Sequence, residues 1–94
     1  MVSETSRVAN RRTVEIRDDA NLGMAMLIAE FGQRNYHPVA AVVSINEARE
    51  IAASDLRGRM KQLERGEDPA CPERYLLWAQ ASDGSYRQVK EIMP

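Results

Sequence analysis

One cysteine, one histidine, one tryptophan and one phenylalanine among 94 residues leave little of the usual reactive chemistry to assemble. A lone thiol, Cys71, excludes an intrachain disulfide and every CxxC arrangement. The single histidine, His37, rules out HxxxH, and no ExxH precedes it, so a structural zinc site has no ligand set and no metal or other cofactor is expected. The five glycines are scattered, and neither GxGxxG nor GxxxxGK[ST] occurs, which removes the known phosphate cradles. Nor is there an excess of one charge. Thirteen basic side chains stand against fourteen acidic ones, so the whole chain carries no field that would draw it to nucleic acid or an acidic membrane.

Long apolar runs are missing too. The most apolar stretch, residues 22–31, is interrupted by Gly23 and Glu30 and falls far short of the roughly 20 residues of a membrane-spanning helix. Residues 1–12 contain no apolar block of the kind a secretory leader uses. Together with the single thiol, this makes a reducing cytoplasm the expected location. An apolar fraction of 44% in a chain of this length fits one hydrophobic core, and two cores would each be too thin.

What is present suggests a small α+β domain. Residues 1–12 read as a flexible basic arm carrying Arg7, Arg11 and Arg12, and residues 13–94 as a single folded unit. Val14 and Ile16 alternate in residues 13–17 as in a short strand. After the capping carboxylates Asp18 and Asp19, Met24, Leu27, Ile28 and Phe31 recur at i, i+3, i+4 and i+7, which predicts a helix over residues 20–33. Leu22 and Met26 lie on its other side. Residues 39–43, apolar and β-branched after Pro38, predict a buried strand.

A capping box, Ser44-Ile45-Asn46-Glu47, opens the strongest element, and Ile45, Ala48, Ala52, Leu56, Met60 and Leu63 continue it as one helical stripe to about residue 65. Gly66 supplies the stop. Beyond a proline-containing loop, residues 75–81 and 86–92 read as strands joined at Asp83-Gly84 by a two-residue turn. That turn would set Trp78 opposite Val89 and Leu76 opposite Glu91, with Tyr86 on the face of Leu77 and Ala79. The expected fold is two helices packed on a small mixed sheet, in the order β-α-β-α-β-β with a C-terminal β-hairpin.

Nothing here assembles a nucleophile with its base. His37 and Cys71 are separated by the long helix and two proline-bearing loops, so an enzyme is not expected. The leading expectation is a non-catalytic protein-interaction module that pairs with itself as a homodimer, because the segment 20–33 is apolar on more sides than one core can cover. Leu22 and Met26 are candidate interface residues for that reason. Ile51 joins them because it points away from the helical stripe, and Gly58 because a glycine inside a helix costs about 1 kcal/mol and asks for a close neighbour. The alternative is a small nucleic-acid-associated regulator, in which Arg7, Arg11 and Arg12 act with Arg57, Lys61 and Arg65 along the long helix. Glu47, Glu50 and Glu64 on the same helix argue against it.

Overall fold

The computed structural model describes residues 16–94, in which a 20-residue helix crosses one face of a four-stranded antiparallel sheet. In chain order the elements are β1 (Ala25–Glu30), β2 (Tyr36–Val42), α1 (Ile45–Glu64), β3 (Arg74–Gln80) and β4 (Tyr86–Ile92). The sheet runs β2-β1-β3-β4, so β1 and β3 are interior and β2 and β4 form the edges. Among the described residues no helix is long and apolar enough to cross a membrane.

This overturns the expected two-helix, mixed-sheet fold in the order β-α-β-α-β-β: among the described residues there is one helix, and every strand pairing is antiparallel. The error lies in residues 20–33, where the helix is replaced by the interior strand β1. A run that is apolar at nearly every position satisfies a period of 3.6 and a period of 2 alike. Backbone conformation decides between them. Gly23 takes φ +71°, and Gly32, Gln33 and Arg34 take +82°, +37° and +64°, which a continuous right-handed helix cannot contain. The second group makes the tight reversal from β1 to β2, closed by Phe31 N donating to Asn35 O and Asn35 N to Gly32 O. Asp18 and Asp19 therefore cap no helix of their own. Instead the Asp18 carbonyl accepts from Asn46 N in the first turn of α1, and its carboxylate pairs with Arg49 at 3.1 Å.

Other corrections are smaller. Ile16 and Arg17 lie in no strand, and the remainder of the 13–17 segment, with the basic arm, is outside the described residues. The strand at 39–43 exists as β2, but at an edge, where only Val42 is buried. Helix α1 matches its signals. Ser44 Oγ accepts from Glu47 N at 3.1 Å, while the Glu47 carboxylate accepts from Val43 N, one residue before the cap amide that a capping box would use. Gly66 closes the helix at φ +85°, with Gly66 N bonded to Leu63 O and Glu67 N to Gln62 O.

The β3–β4 hairpin forms with a longer turn than two residues. Ala81 N donates to Ser85 O and Gly84 N to Ala81 O, leaving Ser82, Asp83 and Gly84 in the loop, with Gly84 at φ +90°. The Asp83 carboxylate accepts from both Ser85 N and Ser85 Oγ, which holds it below the usual carboxylate range. Trp78 consequently opposes Gln88, not Val89. A bulge between Leu77 and Trp78 then restores the expected pairing of Leu76 with Glu91.

The core lies between α1 and one sheet face. Ala25, Leu27 and Ala29 of β1, Val42 of β2, Tyr75 and Leu77 of β3 and Ile92 of β4 pack against Ile45, Ala48 and Ala52. The alanines on both surfaces let helix and sheet approach closely. Leu22 and Ile51, two of the candidate interface residues, are half-buried against this core. The stripe of α1 outruns the sheet: a 20-residue helix spans about 30 Å and a seven-residue strand about 23 Å. Leu56 is half-buried, and Met60 and Leu63 at the overhanging end are about half exposed.

Candidate functional site: the uncovered sheet face

Strand alternation fixes what the sheet presents on the side away from α1. If Ala25, Leu27 and Ala29 face the helix, then Met26, Ile28 and Glu30 face the other way. Residues directly opposite one another in an antiparallel pair share a face. Met26 pairs with Trp78, Ile28 with Leu76 and Pro38, Glu30 with Arg74 and Tyr36, and Gln80 with Tyr86, so all of these belong to the second face. No described element lies over it. An antiparallel sheet with one solvated face ordinarily turns polar side chains outward. Here the central positions are instead methionine, isoleucine, leucine, proline and three aromatic residues.

These side chains form a shaped surface. The rings of Tyr36 and Trp78 meet edge to face, with centroids 5.2 Å apart and planes at 66°. Between the strands lies a concavity of about 260 Å³ bounded by Met26, Ile28, Tyr36, Pro38, Trp78 and Tyr86. A second, of about 210 Å³, shares Met26 and Tyr86 with it and continues to Met24 and Val43. Ile28 is buried at the floor of the first, and its neighbour Leu76 is buried beside it, whereas Tyr36, Tyr86, Met24 and Val43 are exposed at 38%, 42%, 66% and 53%. The indole Nε1 of Trp78 is buried and has no hydrogen-bond partner among the described residues. Charge lies at one end of the face, where Arg74 Nε pairs with Glu30 Oε1, and on its β4 edge, where Glu91 lies opposite Leu76.

The best-organised polar group is on the other side of the sheet and does a different job. Tyr75 Oη donates to Asp55 Oδ2 at 2.6 Å, and Arg59 Nε donates to the same oxygen at 2.8 Å. Arg59 also reaches the Ala70 carbonyl and lies over the Phe31 ring, 5.2 Å from its centroid. Burial, reinforced by the Asp55 carboxylate, pushes the Tyr75 hydroxyl well above its ordinary value. A phenol held neutral and donating to a carboxylate is a poor base. The cluster clasps α1, β3 and the loop before β3 together.

The other sequence candidates separate in space. His37 contacts Asn35 Oδ1 at 3.0 Å and the Phe31 ring, Cys71 is exposed beside the Pro69 carbonyl, and no hydrogen bond joins the two. Among the described residues no three His, Cys, Asp or Glu side chains converge as metal ligands would. Arg57 and Lys61 are exposed on α1 and Arg65 at its C-cap, where it pairs with Glu67 at 2.9 Å, while Arg7, Arg11 and Arg12 lie outside the described residues. Gly58 is exposed, and among the described residues a Cβ built on it would meet nothing within 4 Å. Of the four candidate interface residues, only Met26 lies on the uncovered face.

No local motif marks Tyr36, Ile28, Pro38, Trp78 and Tyr86 as members of a site. Alternation within β3 and β4 was the available signal, but the two-residue turn assigned Tyr86 to the wrong face. No family model, no curated protein and no solved structure matches this chain.

Proposed function

We propose that this chain is a non-catalytic protein-interaction module whose working surface is the uncovered face of the sheet. One observation carries the reading: the face bears Tyr36, Trp78 and Tyr86 around a groove floored by Ile28, with charge only at one end and on the β4 edge. Aromatic and methionine side chains are enriched at the centres of protein interfaces, and contiguous exposed apolar patches on small domains mark such interfaces. Anchor residues of that type carry most of the binding free energy where they sit in a pocket ringed by less important contacts. The exposed, unpaired Cys71 is in keeping with a reducing cytoplasmic setting.

Nucleic acid is the second reading, because aromatic residues on a sheet can stack bases. Charge weighs against it. Glu30 and Glu91 against Arg74 leave this face with one net negative charge, and a phosphate backbone needs the opposite.

A photoreactive benzoylphenylalanine in place of Met26, compared with one in place of the exposed Glu64 on α1, tests the reading in cells of the native host. Protein adducts from position 26 and none from position 64 are expected. Adducts to nucleic acid alone, or none from position 26, overturn the proposal.

A further inference from the structure

We infer that the partner seated on this face is a second copy of the same chain, related by a twofold axis, so that two sheets pack face to face with their helices outermost. The inference rests on the reading of the face as an interaction surface and names its occupant. Size is the first argument. Four strands about 4.8 Å apart and about 23 Å long make a face of about 440 Å² in projection, and more as accessible area because the side chains stand above the plane. Stable interfaces bury roughly 800 Å² per partner and the smallest roughly 500 Å², so the entire face must be used. A docked helix, about 10 Å across, would cover only half of the width. A second sheet of the same dimensions covers all of it.

The edges give the second argument. Self-association of sheets more often threatens at the edges, and both are blunted here. In β2 a proline, Pro38, and a register shift at Leu27/Ile28 interrupt the edge, while β4 carries Arg87, Lys90 and Glu91 and the shift at Leu77/Trp78. Strand addition is thereby disfavoured while the face stays open. Charge is the third. The centre of the face is uncharged and Glu30 and Arg74 neutralise one another within each copy, so the one unbalanced charge per copy, Glu91, stands on the edge strand β4, where it is exposed to solvent. Isologous pairing through one such patch is the commonest form of oligomer.

Sedimentation equilibrium of the full chain over a hundredfold concentration range, with circular dichroism to confirm folding, tests the inference. The wild type should form a reversible dimer. Met26→Glu should weaken it by about a hundredfold or more, because a carboxylate would be buried unpaired, and Met26→Gln should weaken it less. Glu64→Gln, far from the face, should leave it unchanged. A wild type that stays monomeric throughout, or a dimer indifferent to Met26→Glu, overturns the inference. The mass of the adduct at position 26 separates the two levels: an adduct of twice the chain mass supports self-pairing, and an adduct with a different protein refutes self-pairing while sparing the interaction surface. No adduct at all refutes both.

Discussion

Replacing Leu27 by alanine probes whether residues 25–30 really form the interior strand. Leu27 has no exposed surface and meets the alanine-rich side of α1. Truncation removes three carbons, worth about 2.4 kcal/mol of transfer free energy at about 0.8 kcal/mol each. The cavity adds to this. Ala25, Ala29, Ala48 and Ala52 around the site are too short to lean into the space, so relaxation is limited and the expected total is about 3 to 4 kcal/mol. Domains of this size have only about 5 to 15 kcal/mol in all, so the variant should be close to its threshold. Met26→Ala, one residue away on the uncovered face, should cost less than about 1.5 kcal/mol when both are measured by urea unfolding at one low protein concentration. Concentration must be fixed because association adds to apparent stability. A helix over residues 20–33 would also set 26 and 27 on different sides, so Ala29→Asp decides between the two. In the strand Ala29 is fully buried on the face of Leu27, where a carboxylate is severely destabilising, whereas in a helix it would lie on the side of Met26 and tolerate the change. Equal losses at 26 and 27 would refute the strand and, with it, the assignment of faces on which the functional reading depends.

Gly58→Ala should stabilise the domain by about 0.5 to 1 kcal/mol in the same assay, since the added methyl meets nothing and helix propensity improves. Gly84→Val should destabilise by about 1 to 2 kcal/mol, because a β-branched residue is forced to φ +90° in the hairpin loop. Met60→Ala should cost less than about 1 kcal/mol, its side chain being half exposed on the overhanging end of α1. Alkaline pH should destabilise through Tyr75: its folded value is raised, so its contribution is complete below the unfolded value of about 10 and declines as pH rises beyond it, when the unfolded chain releases a proton that the folded one keeps. Stability measured from pH 9 to 11 should fall less steeply in Tyr75→Phe than in the wild type.

Helix α1 was legible in the sequence because independent local signals agreed: a cap, a 3.6-residue stripe and a glycine stop. The β3–β4 hairpin was legible for a similar reason, with strand-forming residues on both sides of Asp83-Gly84. Its face assignment failed at Tyr86 because loop length, set by the bonds among Ala81, Gly84 and Ser85, shifts the register by one residue and so moves a side chain across the sheet. For residues 22–31 local pattern carried no decision. The strand is interior and buried on its helix side, so nearly every position is apolar, and its conformation is dictated by β2 and β3 rather than by its own periodicity. The sequence shows Met26 as surplus apolar surface, and in the structure that surplus belongs to a sheet face, not to a helix. The rest of the site could not be read because it is gathered from all four strands.

Trp78, the one tryptophan in the chain, sits at the centre of the proposed contact and reports on it without a label. Its emission maximum and its quenching by iodide, followed on dilution from about 500 μM to about 0.5 μM, test the claim most directly; by the affinity scale for modest interfaces the transition should fall within that range. Self-pairing predicts a shift to longer wavelength and stronger quenching as the dimer dissociates, with Met26→Glu already at the diluted values at every concentration. Emission and quenching that do not change with dilution, and are the same in the variant, would contradict it.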